Sequence, residues 1–194
     1  PADRECTHLL EHMNALFTSG AHPDAEALLE RMASRGYDMN ASVNQTTTTM
    51  WMETTRANGP EFLRIFLNAL FDFRLDLARY AQEQNAVVEE LVAILNDTWS
   101  DVHSSVYSCL YADHPRSTHV GLQMMNTKKI TPEHLMAYRR RFYRPANMVL
   151  CLTGAFDPDA SLATVRSFVG FEPPERNLYP QFTAPAWDAP RVCF

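Results

Sequence analysis

A chain of 194 residues with 46% apolar side chains has the length of one domain and too much apolar content for a disordered segment. Its formal charge of -6 at neutral pH argues against a nucleic-acid or anionic-membrane surface, either of which needs clustered Lys and Arg, and no apolar stretch is long enough to span a membrane. The four cysteines, Cys6, Cys109, Cys151 and Cys193, lie far apart without C-x-x-C spacing, so they suggest neither a disulfide framework nor a zinc ribbon, and a reducing compartment fits them best.

The first helix is expected over about residues 5 to 17, and it contains the run His8-Leu9-Leu10-Glu11-His12. Positions i and i+4 of a helix share a face, so the two imidazoles can converge on one metal ion. Glu11 lies beside the second imidazole, where its carboxylate can take a proton from a water at that metal. The H-x-x-E-H order is the reverse of the commoner H-E-x-x-H. Cys6 lies two residues before His8, but i and i+2 point apart on a helix, and a buried or spectator thiol is the better reading.

A second helix is expected from Pro23, which suits a first helical position, to Arg35 before Gly36. Strand signals follow at about 39 to 43 and 46 to 55, joined by Asn44-Gln45 as a tight turn. Trp51 alternates with Met50 and Met52 there, which favours a sheet-packing role, and the methionines as a group read as core filling. Pro60 opens a helix to about Leu70. The segment from Asp76 to Leu95 has no Gly or Pro and reads as helix, as does Trp99 to Tyr111. Thr131-Pro132 makes an N-cap and first-turn pair for a helix ending near Phe142. The basic run Arg139-Arg140-Arg141 with Arg144 reads as a solvated helix face. Met148 to Thr153, ended by Gly154, is consistent with a buried strand, and a helix over 159 to 169 follows. From Phe171 on, five prolines fall within 24 residues, which reads as an extended linker. The class is α+β, with helices packed on a mostly antiparallel mixed sheet.

A catalytic zinc site usually takes a third protein ligand. Glu83 and Glu90 are two helical turns apart and share a face with Ala86, Val87 and Ile94, whereas Glu89 belongs to a polar stripe with Gln82, Asn85, Ala93 and Asn96. A carboxylate on an apolar face needs a partner to offset its desolvation. On this reasoning Glu90 is the third ligand and Glu83 supports it from behind. The alternative, an amphipathic helix whose polar stripe happens to hold two histidines, does not explain the Glu pair. His22, His103, His114, His119 and His134 have no i+4 histidine and read as surface or capping residues.

The ordered set His8-x-x-Glu11-His12, Glu83-x6-Glu90, Asn40-Ala41-Ser42, Val87-Val88-Glu89-Glu90-Leu91 and Tyr143-Arg144-Pro145-Ala146-Asn147-Met148-Val149-Leu150 with Gly154 resembles the pitrilysin or insulinase family of zinc metallopeptidases, which includes the mitochondrial processing peptidases. The resemblance implies a Zn2+-dependent endopeptidase that cuts extended peptides in a chamber built from two similar halves. His8, His12 and Glu90 match the family's zinc ligands, Glu11 its general base and Glu83 its second carboxylate. Asn40, Ala41 and Ser42 match an edge strand to which substrate backbone adds as a further strand. Residues 1–170 then form the zinc-binding half-domain and 171–194 a linker toward a second half-domain or subunit that closes the chamber. Only seven residues precede His8 where the family has two strands, so the half-domain is read as N-terminally incomplete. The mitochondrial matrix or the cytoplasm would suit the thiols. A second class of function is also compatible with the resemblance: a catalytically silent structural subunit, like the core proteins of the respiratory cytochrome reductase.

Overall fold

The computed structural model describes residues 2–44, 46–111 and 120–170. The expected linker 171–194, Gln45 and the histidines at 114 and 119 lie outside that set. The first element, α1 (Ala2–Ala15), places Cys6, Leu9, Leu10 and Met13 on one face, and all four are buried. That stripe packs against Tyr80, Val87 and Leu91 of α4 (Leu77–Asn96), Val120 of α6 (Val120–Thr127), Ile130, and Leu135 of α7 (Pro132–Phe142). Each buried leucine contributes about 1.5–3 kcal/mol to holding α1 there. The opposite edge of the helix, with His8, Glu11 and His12, is left half-buried.

The second helix, α2 (Ala25–Ala33), begins two residues later than Pro23 suggests, because the Asp24 carboxylate accepts from the Ala27 N–H at 3.0 Å and caps the first turn. Gly36, at φ +71, then turns the chain into a hairpin of β1 (Tyr37–Val43) and β2 (Thr48–Thr54), antiparallel with Val43 opposite Thr48. Residues 44–47 separate the two strands, not Asn44-Gln45 alone as expected. Asn44 Oδ1 accepts the N–H groups of Thr46 and Thr47, both at 2.8 Å, and the Asn44 N–H donates to the Thr47 carbonyl at 3.0 Å.

Exposure alternates along both strands. Tyr37, Met39 and Met52 turn toward a second core of Phe17, Leu28, Met32, Phe62, Ile65 and Ala69, to which α3 (Gly59–Phe71) contributes three residues. Trp51 has the opposite parity and is 40% exposed, so the packing role expected for it is incorrect: it stands on the solvent face of the sheet. Met13 and Met32 fill core as expected, whereas Met125 is exposed.

The fourth helix is capped by Asp76, whose carboxylate accepts from Ala78 N and Arg79 N. Then come α5 (Thr98–Tyr111) and α6, a helix the sequence did not signal. The last helices are α7, capped by Thr131, and α8 (Pro158–Phe168), capped by Asp157. The buried strand expected at Met148–Thr153 is absent. The backbone enters it extended, at φ -126 and ψ 150, but Val149 is 90% exposed. An extended segment becomes a strand only beside a partner, and among the described residues the sheet has two strands, β1 and β2. The class is α+β, with a smaller sheet than expected. Cys109 on α5 is disulfide-bonded, while Cys6 and Cys151 are not. No helix among the described residues is long and apolar enough to cross a membrane.

Candidate metal centre

Packing of α1 across α4 brings two histidines and two glutamates together. His8 Nε2 lies 3.1 Å from Glu90 Oε2, and His12 Nε2 lies 3.3 Å from Glu90 Oε1. His12 Nδ1 lies 3.3 Å from Glu83 Oε2. One ligand atom from each of His8, His12 and Glu90 fits within 4.8 Å of the others, the span of donors around a single small cation. The two rings stand 5.2 Å apart and edge-on, 66° between planes, so their nitrogens converge while the ring faces do not stack.

The donor chemistry suits zinc, which takes imidazole nitrogen and carboxylate oxygen readily. His12 Nδ1–H donates to the Glu83 carboxylate, the tautomer that leaves the lone pair on Nε2, on the side of Glu90; Glu83 thus supports His12 and not, as expected from the sequence, Glu90. Burial lowers the affinity of His8 for a proton, the neighbouring His12 lowers it further, and Glu90 opposes both. A neutral imidazole is the form that can coordinate a metal. Burial also raises the Glu11 carboxyl above its ordinary range, with His12 opposing and Glu90 adding to the rise.

The desolvation reasoning that chose Glu90 from the sequence does not describe its surroundings. The Glu90 side chain is 54% exposed, and Glu83 is the sheltered one at 15%. Glu90 meets both histidines because α4 crosses α1 at that turn, a matter of helix crossing and not of burial. Glu89 is exposed, as its polar stripe implied. Cys6 is buried on the opposite face of α1 and stands apart from the cluster. His103 stacks against Tyr107 at 4.5 Å and, like His22 and His134, stands apart from it.

Asn40, Ala41 and Ser42 lie on β1, which α1 contacts. Asn40 and Ser42 face solvent, and Ala41 is half-buried.

Two supports escaped the sequence reading. Tyr138 Oη and Thr7 Oγ1 are 2.8 Å apart, tying α7 to the residue before His8. Arg139, expected on a solvated face, is buried. Its guanidinium donates to Asn14 Oδ1 at 3.3 Å and to the carbonyls of Ala69 and Leu70 at 3.2 and 2.6 Å. Helical phase was the available signal, because Arg139 lies four residues after the buried Leu135 and shares its face.

Comparison with known proteins gives a consistent family. Residues 3–128 match the family model described as Insulinase (Peptidase family M16), and residues 129–192 match the model described as Peptidase M16 inactive domain. The chain is 24% identical over 171 residues to an uncharacterized zinc protease YmfH of Bacillus subtilis, covering 86% of this chain and 37% of that protein. It is 25% identical over 150 residues to the coenzyme PQQ synthesis protein F of Pseudomonas syringae, covering 76% of this chain and 19% of that one. The crystal structure of a protease from Helicobacter pylori superposes with a TM-score of 0.75 at 19% identity, over 95% of this chain and 43% of that chain. The chain therefore spans less than half the length of these relatives.

Proposed function

The chain belongs to the insulinase family, peptidase family M16, and on that premise we propose that it carries the metal-binding and proton-transfer residues of a zinc-dependent endopeptidase acting on extended peptides. The observation that carries this reading is the convergence of His8, His12 and Glu90 within 4.8 Å while Glu83 holds the far nitrogen of His12. When bound there, zinc supplies the Lewis acidity that polarises a scissile carbonyl and acidifies the attacking water. His8, His12 and Glu90 would hold the ion. Glu83 keeps the His12 ring oriented and its Nδ1 protonated. Glu11 takes the proton of the attacking water and returns it to the leaving amine, a task helped by a carboxyl raised above its ordinary range by burial. Substrate backbone adds to the free edge of β1 at Asn40, Ala41 and Ser42, and a second half-domain or subunit closes the chamber over it.

The test is metal analysis and peptide hydrolysis on the full-length protein, in wild-type and Glu11→Gln forms. The expected result is stoichiometric zinc in both and a rate lower by about 100- to 10,000-fold in the variant. Loss of zinc in Glu11→Gln would make Glu11 a ligand. Bound zinc with no hydrolysis of any peptide by the wild type would favour the silent structural subunit.

A further inference from the structure

The hairpin ladder fixes which backbone groups of β1 are available to a partner strand. The Asn44 N–H donates to the Thr47 carbonyl, and hydrogen-bonded pairs alternate along an antiparallel ladder. With the observed register, Ser42 with Thr49, Asn40 with Trp51 and Asp38 with Glu53 are then the paired positions. Val43, Ala41 and Met39 direct their N–H and carbonyl groups to the other edge, beside which no strand lies among the described residues. At that edge the Ala41 N–H is already engaged: it donates to Oδ1 of its own neighbour, Asn40, at 2.8 Å. An edge donor satisfied by a side chain is a blunted edge, closed to strand addition until the side chain lets go.

We propose that the Asn40 side-chain amide is a displaceable cap on the edge strand, holding the Ala41 N–H until the carbonyl of an extended peptide takes its place. The proposal rests on the strand-addition reading above and makes Asn40 a positioning and selectivity residue. A peptide must align a carbonyl well enough to outcompete a local amide that has no association entropy to lose. Chains that dock out of register, or are too short to build a ladder, do not open the cap. The exchanged bonds are alike in kind, so the cap weakens binding modestly and leaves the edge accessible to a well-aligned strand.

The experiment uses the full-length protein in two settings. Amide hydrogen exchange at Ala41 is measured without peptide for wild type and Asn40→Ala. Affinity for a short, unstructured, fluorescein-labelled peptide is measured by anisotropy in a Glu11→Gln background, with Asn40→Ala and Asn40→Asp added singly. Removing the cap is expected to speed exchange at Ala41 and tighten peptide binding by about two- to tenfold. The aspartate, a stronger acceptor for an N–H, is expected to weaken binding relative to Asn40. Exchange at Ala41 that ignores the substitution, or peptide binding that is unchanged or weaker in Asn40→Ala, overturns the proposal alone. Absence of peptide binding in every form overturns the strand-addition reading and this proposal with it.

Discussion

Residues that meet at the candidate metal centre would have separable duties, and substitution distinguishes them. Glu90 faces both imidazoles, within 3.1 and 3.3 Å, while the adjacent Glu89 is solvent-exposed on another stripe of the same helix. Glu90→Gln is therefore expected to lose most of the bound zinc and Glu89→Gln to keep it, with metal content by elemental analysis as the readout. Equal loss in the two variants would remove Glu90 from the ligand set. In the proposed site the more exposed carboxylate would hold the metal and the more sheltered one the histidine. A ligand facing a chamber must be reachable by water and substrate, whereas a group that only orients an imidazole works best where nothing competes for it.

At the scale of elements, the site depends on how α4 and β1 are held. The Asp76 carboxylate accepts from Ala78 N at 3.0 Å and Arg79 N at 3.1 Å, satisfying two of the orphan donors at the start of the helix that carries Glu83 and Glu90. Asp76→Ala is expected to cost about 1 kcal/mol of stability, read as a lower urea midpoint with an unchanged slope. A loss near zero would mean that water replaces the cap without penalty. On β1 the Ala41 N–H points away from β2, so proline at this position removes an edge donor without breaking the hairpin ladder. Ala41→Pro is accordingly expected to keep its fold and its zinc while the peptide KM rises. Ordinary peptide kinetics in a folded Ala41→Pro protein would place substrate elsewhere.

Over the whole molecule, one buried cation links three helices. Arg139 of α7 reaches Asn14 of α1 and the last carbonyls of α3, where the helix dipole is negative. Its guanidinium also stands 4.1 Å from the Phe73 ring centre and 4.8 Å from that of Tyr143. Burial pushes its pKa down to about 10, which leaves it charged at neutral pH. Removing the side chain orphans acceptors on two helices and opens a cavity. Arg139→Ala is thus expected to destabilise the fold by about 3 kcal/mol or more, and Arg139→Lys by less. Denaturant unfolding of the two variants measures this, and equal, small losses would show that the cation is dispensable. Because Asn14 lies two residues after His12, the same clamp holds the C-terminal end of α1.

Local chemistry and helical phase made part of the site legible in the chain alone. The pairing of His8 with His12, the shared face of Glu83 and Glu90, the cap Thr131 and the hairpin following Gly36 all follow from spacing and residue type within a turn or two. The folded packing settles what depends on neighbours distant in the chain. It made Glu83 the sheltered carboxylate and Glu90 the open one, through the packing of α4 against α1. It buried Arg139, whose partners lie 125 and about 70 residues away along the chain, and it turned Trp51 outward. It left Met148–Thr153 without a strand to pair with, since hydrogen bonding between strands is a property of two segments and an apolar run records only one of them.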